Sequence, residues 1–158
     1  MLREEEGVKA ELIAKFDDLK EEVVIARQRR IFVEVPFERF RAVFDFAVGP
    51  LRFEMLYTIT GLDDGAHFAL LYHLGREGRV ALNLRLRVPR TNPSVRTITD
   101  RFPAADLYER ELADLFGIKV EGLPPGNRYP LPDDWPAGQY PLRKDWKGET
   151  PAGEGGDR

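Results

Sequence analysis

Three carboxylates on one predicted helix are the side chains in this sequence best suited to chemistry. Glu109, Glu111 and Asp114 lie within residues 107–116, where large apolar residues recur at spacings of three and four. Clustered carboxylates can act as general acid and general base in a small hydrolase, provided that a pocket and a substrate-positioning group lie beside them. They can equally hold arginines through charge-assisted hydrogen bonds, and the spacing also fits an ordinary helix with a solvated flank.

The arginine interpretation is the better of these, because the sequence reveals neither a pocket nor a positioning group. Glu111 shares a side of the helix with Leu107 and Leu115, so we expect it to be partly buried and paired with an arginine. Arg128 and Arg143, farther along the chain, are available for this role.

Other candidate sites are weaker. Asp63, Asp64 and His67 carry groups that bind divalent metals, but their spacing matches no metal-binding loop, and Asp-Asp-Gly favours a turn. His73 lies in a predicted strand, where a hydrogen-bonded histidine is commoner than a catalytic one. The sequence contains no nucleophile elbow, phosphate loop, zinc pair or dinucleotide fingerprint.

Composition excludes several function classes. None of the 158 residues is cysteine, so the chain can form no disulfide and can hold no cysteine-ligated iron–sulfur or [NiFe] centre. Since the chain also has only two histidines, which are not clustered, we expect no metal or redox cofactor in it. A net charge of −3 argues against binding to nucleic acid, whose affinity depends on neutralising phosphates. No apolar run reaches the roughly 18 residues that span a bilayer, and the first residues do not resemble a signal peptide.

Periodicity predicts an α+β fold with a mixed, mainly antiparallel sheet covered by helices. A hairpin and a three-stranded meander are the predicted strands, at 23–26 and 31–35 and at 53–61, 67–74 and 80–88. Helices are predicted at about 7–20, from Pro36 to Gly49, over 92–102 after the Asn92-Pro93 cap, and at 107–116, where Gly117 ends the helix.

The C-terminal part of the chain is predicted to be an extended tail. Seven of the chain's twelve prolines lie between Pro124 and Pro151, which excludes regular helix and central strand there. The same segment contains both tryptophans of the chain, so it differs in composition from a disordered linker. We expect a single domain at 1–122, a partner-binding tail at 123–147 that becomes ordered only on a partner, and a disordered terminus at 148–158.

The helix and the tail together resemble a known family. The run Glu109–Ile118, then Gly122 and the run Pro141–Trp146, are similar to the signature of the C subunit of NADH-quinone oxidoreductase, respiratory complex I. They also resemble the equivalent subunit of complex-I-like, energy-converting membrane-bound [NiFe] hydrogenases, and the run Leu131–Pro136 favours that branch. Leu123 is a departure, because the complex I pattern has histidine at this position.

The resemblance implies a cofactor-free structural or assembly subunit in the soluble arm of such a complex. The resemblance implies that this chain has no catalytic residue. Its expected partners are the large catalytic subunit and adjacent iron–sulfur subunits, which would hold the Fe–S clusters and, in the hydrogenase branch, the [NiFe] centre. Its expected location is peripheral, on the cytoplasmic side of the cell membrane, through those partners. The predicted partner-binding residues are Glu109, Arg110, Glu111, Asp114, Phe116, Arg128, Trp135, Tyr140, Arg143, Lys144, Asp145 and Trp146.

Overall fold

A computed structural model describes residues 3–148 of the chain. Its helices are α1 (Arg3–Lys15), α2 (Phe40–Val48) and α3 (Ala105–Phe116), with short 3-10 turns at Asp17–Leu19 and Phe37–Arg39. Its strands are β1 (Val23–Arg27), β2 (Arg30–Val35), β3 (Met55–Asp63), β4 (His67–Arg76), β5 (Val80–Pro89), β6 (Ser94–Arg96) and β7 (Lys119–Glu121). The predicted α+β class is confirmed.

Five strands form the main sheet, in the order β1-β2-β5-β4-β3. The hairpin β1-β2 and the meander β3-β4-β5 are both antiparallel, as predicted. The hairpin joins the meander through parallel pairing of β2 with β5, from Arg30 beside Ala81 to Val35 beside Leu86. The sheet is therefore mixed, with one parallel pair.

The core lies on one face of the sheet. Alternate residues of β5 are buried there, namely Val80, Leu82, Leu84, Leu86 and Val88, as period-two patterning requires. Phe40 and Phe44 of α2 pack against the ring of Tyr72 in β4. Leu112 and Phe116 of α3 lie so close to Gly61 in β3 that a Cβ there would meet them at 2.8 and 2.6 Å. The helices thus cover the apolar face, and Arg85 and Arg87 lie on the opposite face of β5.

One predicted helix is wrong. Residues 94–96 form strand β6, which pairs in parallel with β7 after α3. Val95 and Ile98 fit a helical spacing, yet neither lies in a helix. Val95 is buried within strand β6, and Ile98 is buried in the segment that follows the strand. Long-range pairing with β7 outweighs the weak local pattern, since hydrogen bonds from the Lys119 and Thr97 amides fix both ends of the pair.

The N-terminal helix also differs from the prediction. It runs from Arg3 to Lys15, not from 7 to 20, because Phe16 leaves the helical region with φ −131° and packs its ring edge-on against Phe46. Among residues 3–148, none of the helices is long and apolar enough to cross a membrane.

Candidate partner-binding site

The C-terminal end of α3 is the point on which the tail converges. Gly117 adopts the left-handed conformation with φ 71°, as its position after the helix predicted. A Cβ at this glycine would meet the ring of Tyr140 at 2.5 Å, so the close approach of the tail also requires glycine. The Leu142 amide donates to the Leu115 carbonyl at 3.1 Å, and Arg143 Nε donates to the Phe116 carbonyl at 2.7 Å. The tail thus satisfies carbonyls that the helix leaves free, and it places a cation where the helix dipole is negative.

Asp114 joins the outer side of α3 to the tail. Its carboxylate lies 3.2 Å from the guanidinium of Arg128 and accepts the Leu131 amide at 3.1 Å. Arg128 also donates to the Trp135 carbonyl at 3.1 Å, which ties two parts of the tail to one helix position. The predicted contact between an α3 carboxylate and a tail arginine is confirmed for this pair.

Arg143, Lys144 and Asp145 attach the end of the tail to the sheet. The Arg143 guanidinium lies 5.1 Å from the centre of the Phe68 ring and 4.5 Å from that of Tyr140. The Lys144 amide donates to Asp63 at 2.8 Å, so Lys144 acts here through its backbone. These contacts leave the Lys144 ammonium group to other partners or to solvent.

Arg90 joins the sheet to the end of the tail, because it pairs with a carboxylate of each. Its guanidinium lies 2.7 Å from Asp63 and 2.6 Å from Asp145. Burial alone would raise the pKa of Asp63, but the hydrogen bonds from Arg90 and the Lys144 amide outweigh it and lower the pKa to about 2. Sequence reasoning missed Asp63 and Arg90 as tail anchors. It did predict the turn correctly, since Asp63 also accepts the Gly65 amide at 2.9 Å.

The two tryptophans of the tail form one unit. The rings of Trp135 and Trp146 lie 6.1 Å apart, and both indole N–H groups donate to Gln139 at 2.8 Å. Gln139 therefore holds the two aromatic residues in a fixed arrangement. Sequence reasoning did not single out this glutamine.

The ordered tail corrects one expectation. The segment expected to become ordered only on a partner lies against its own domain, because free helix carbonyls, Asp114 and Asp63 supply hydrogen-bonding partners that its apolar content did not reveal. The boundary after Gly122 and a partner-binding role for the tail stay predictions. The terminus predicted to be disordered, 148–158, lies outside the described residues apart from its first position.

Glu109 has a structural role, as a buried acceptor between α3 and the segment after β6. It is fully buried on α3, accepts the Thr97 hydroxyl at 2.5 Å and the Ile98 amide at 2.7 Å, and has a pKa raised by burial. It thereby fixes α3 to the turn that follows β6. Arg110 binds Asp106 at 2.9 Å and the Pro124 carbonyl at 2.5 Å, which holds the start of the tail.

The structure also differs from the arginine pairing expected for Glu111. Its side chain is half-buried as expected, but among residues 3–148 it forms neither an ion pair nor a side-chain hydrogen bond, so the arginine pairing is wrong within that part of the chain. The reason is geometric: Arg128 of the tail pairs with Asp114, whereas Tyr108, one helical turn before Glu111, contacts the Tyr57 carbonyl of β3. Glu109 and Asp114 accept hydrogen bonds from different parts of the chain, and among residues 3–148 no hydrogen bond joins the three helix carboxylates to one another or to a shared group.

His73 has the hydrogen-bonded setting predicted for it. Its ring nitrogens lie 2.9 Å from the Thr60 hydroxyl and 2.6 Å from the Asn83 side-chain oxygen, and Asn83 in turn donates to the Ile31 carbonyl at 2.9 Å. The histidine therefore links three strands of the sheet on the face opposite the helices.

Three exposed apolar residues border these contacts. Leu107 and Tyr129, which are 53% and 44% exposed, line a groove of about 780 Å³ between α3 and residues 122–129. Leu142, 51% exposed, lies at the other end of the attached tail. The tail and α3 therefore present one continuous framework, fixed by internal hydrogen bonds, that exposes large apolar side chains.

Comparisons with known proteins match this architecture. Residues 33–152 match the family model of the respiratory-chain NADH dehydrogenase 30 kDa subunit. The C subunit of F420H2 dehydrogenase from Methanosarcina mazei is 32% identical over 79% of this chain and 84% of its own length. The C subunit of NADH-quinone oxidoreductase from Acidothermus cellulolyticus is 36% identical over 54% of this chain. The chain spans about half the length of the NADH-quinone oxidoreductase relatives from Acidothermus (47%) and Roseiflexus castenholzii (51%).

Solved structures agree with the sequence comparisons. A chain of the membrane-bound sulfane sulfur reductase, an archaeal respiratory membrane complex, superimposes with a TM-score of 0.75 at 27% identity, covering 91% of this chain and 86% of that one. A trypsin-resistant fragment of Nqo5 superimposes with a TM-score of 0.64 at 29% identity, covering 78% of this chain and 99% of the fragment. The signature on α3, the shared fold and the match over most of the chain show that this protein belongs to the 30 kDa subunit family of complex-I-like respiratory oxidoreductases.

Proposed function

We propose that this chain is a structural subunit of the soluble arm of a complex-I-like oxidoreductase, and that it binds the large catalytic subunit through α3 and the tail. The observation that carries the proposal is the exposure of Leu107, Tyr129 and Leu142 on a framework that internal hydrogen bonds hold in place. Large apolar side chains in fixed positions are typical of protein interfaces, because little conformational entropy is lost when a partner covers them.

The internal contacts of the tail support an assembly role over catalysis. Glu109 and Asp114 are occupied by hydrogen bonds within the chain, and Arg128 and Arg143 hold the tail in place. Such residues shape a surface and do not act on a substrate. We propose that electron transfer takes place on cofactors of the partner subunits, which this chain positions from the cytoplasmic side of the membrane.

The Leu131–Pro136 run favours an energy-converting [NiFe] hydrogenase as the parent complex, with an NADH-quinone oxidoreductase as the second candidate. The subunits that co-purify with the tagged chain from its native host distinguish the two. A [NiFe]-type large subunit supports the first, and a quinone-binding homologue without nickel ligands supports the second.

The interface is tested by substitution in the full chain. Tyr129→Asp and Leu142→Asp should sharply reduce recovery of the large subunit with the tagged chain, because each places a charge in a desolvated contact. Val24→Asp is the matched control, since Val24 is as exposed as Leu142 (51%) but lies on β1, far from the tail in the sheet order. Normal recovery with both tail variants would contradict the proposal.

A further inference from the structure

The outer edge of β3 is a second surface suited to a protein partner. β3 is the last strand of the sheet, and within residues 3–148 no other strand pairs with its outer side. From Thr58 to Asp63 it is regularly paired with β4 on its inner side only. An unprotected edge presents a row of backbone N–H and C=O groups that can receive another strand.

The two edges of the sheet differ in their protection. β1, the opposite edge, has five residues, an irregularity between Ile25 and Arg27, and a basic end next to Arg29 and Arg30. β3 has nine residues, and between Met55 and Leu62 it contains no lysine, arginine or proline. Short length, bulges, basic residues and proline are the devices that keep sheet edges from pairing. β3 has only a bulge at Tyr57, near its start.

Apolar side chains follow this edge. Met55, Tyr57 and Leu62 are 48%, 42% and 47% exposed, and all three belong to β3. The flank of α3 runs beside the same strand, because the Tyr108 hydroxyl donates to the Tyr57 carbonyl at 3.1 Å. One helical turn beyond Tyr108, this flank carries Glu111.

The unpaired Glu111 indicates that a partner strand at this edge would carry a positive charge. Glu111 is half-buried, it lies one helical turn beyond Tyr108, which contacts β3, and it forms no ion pair with any residue in the described part of the chain. A strand added to β3 would direct alternate side chains towards this flank of α3. A lysine or arginine at one of these positions would form a charge-assisted pair with Glu111.

We propose that the β3 edge receives an extended segment of an adjoining subunit, which adds a strand to the sheet and places a basic side chain against Glu111. The inference rests on the proposed function, since the occupant is another subunit of the complex. It identifies an attachment point separate from the tail, because the hydrogen bond from the tail to β3 is made to the last residue of the strand, Asp63.

Hydrogen exchange of the full chain, free and within the purified complex, tests strand addition directly. In the complex, amides of 55–63 should exchange at least about tenfold more slowly than in the free chain, while amides of 23–27 on β1 should change little. Unchanged exchange over 55–63 in a complex that contains the chain would overturn the inference and leave the proposed function intact. A chain that co-purifies with no other subunit would instead contradict the proposed function.

Substitutions test the side chains. Leu62→Lys and Glu111→Lys should reduce incorporation into the complex, while Val24→Lys, at similar exposure on β1, should not. All three isolated chains should keep the wild-type melting temperature, because the positions are exposed or unpaired. Wild-type incorporation of both β3-edge variants would overturn the inference. So would a free chain that forms a dimer which Leu62→Lys and Glu111→Lys dissociate, since the occupant would then be a second copy.

Discussion

Asp114 on α3 and Arg128 in the tail form an ion pair of 3.2 Å, with side chains that are 11% and 29% exposed. The same carboxylate accepts the Leu131 amide. One helix position therefore fixes two points of the tail, and the tail's arrangement depends on this carboxylate.

Asp114→Asn should loosen the tail and lower the free energy of unfolding by about 1–3 kcal/mol, because a partly buried guanidinium loses its charged partner. Both tryptophans of the chain lie in the tail, so urea unfolding followed by their fluorescence reports on this segment. Arg52→Ala is the control, since its pair with Glu54 is 71% and 64% exposed and should contribute at most about 1 kcal/mol. Equal effects of the two substitutions would contradict the anchoring role of Asp114.

Glu109→Ala should destabilise the fold by about 2–5 kcal/mol, because it leaves the buried Ile98 amide without an acceptor and removes the bond that the Thr97 hydroxyl donates to the carboxylate. Glu109→Gln should lose less, since its amide oxygen can still accept one of these bonds. Burial raises the Glu109 pKa, so the ionised folded state carries a penalty that acidification through that pKa removes. The stability of the wild type relative to the Gln variant should therefore rise as pH falls. Urea titrations at several pH values measure both differences.

Asp63 should make attachment of the tail acid-sensitive only at low pH. Its pKa in the folded chain is lowered to about 2 from an ordinary 3.8, so its stabilising contribution is complete above about pH 4 and is lost as pH falls through about 2. Asp63→Asn lacks this titration while keeping the shape of the side chain. Tryptophan fluorescence of the two chains should therefore differ at neutral pH and converge below about pH 2. A difference that persists in acid would exclude ionisation of Asp63 as the cause.

Gly117→Ala tests whether the end of α3 must be glycine for the tail or only for the backbone. Alanine strains the left-handed conformation by about 1–2 kcal/mol and also brings a Cβ within 2.5 Å of the Tyr140 ring. Gly78→Ala is a matched control, because Gly78 has a similar φ of 65° with no atom within 4 Å of the new Cβ. We expect Gly117→Ala to be the more destabilising by about 1 kcal/mol or more, with altered tryptophan fluorescence. Equal losses of stability would mean that the tail is not packed on this glycine.

The elements of the fold were predictable where a local pattern agreed with the tertiary contacts. Strict alternation in β5 and the glycine after α3 gave the meander and the helix end correctly. The segment 94–96 was not predictable in this way, because its structure depends on pairing with β7 about 25 residues later. Three apolar residues at helical spacing could not reveal that pairing.

Some residues of the candidate site were likewise predictable from the sequence, and others were not. The signature identified α3 and the tail as interacting segments, and opposite charge predicted the contact of Asp114 with Arg128. Asp63 and Arg90 were missed because they lie far from the tail in sequence and their local pattern indicates only a turn and a strand end. Glu109 and Glu111 have the same chemistry, so only their orientation on the folded helix distinguishes the buried acceptor from the unpaired group.

Truncation after Gly122 separates the fold from the interface. Among the described residues, every buried member of the hydrophobic core precedes Leu123, so the truncated chain should keep its sheet and helices in far-ultraviolet circular dichroism. It should nevertheless be less stable than the full chain. The truncation removes the donors to the Leu115 and Phe116 carbonyls, the arginine that pairs with Asp114, and the Arg143 guanidinium, one of two over Phe68.

The truncated chain should no longer retain the large subunit in a pull-down, because Tyr129 and Leu142 are absent. The double variant Tyr129→Asp, Leu142→Asp in the full chain is the control, since it removes the apolar contacts while leaving the anchors of the tail in place. Loss of the large subunit with both chains would assign binding to these exposed side chains. Retention by the truncated chain would mean instead that α3 and the sheet carry the interface, and that the tail serves only to stabilise the end of α3.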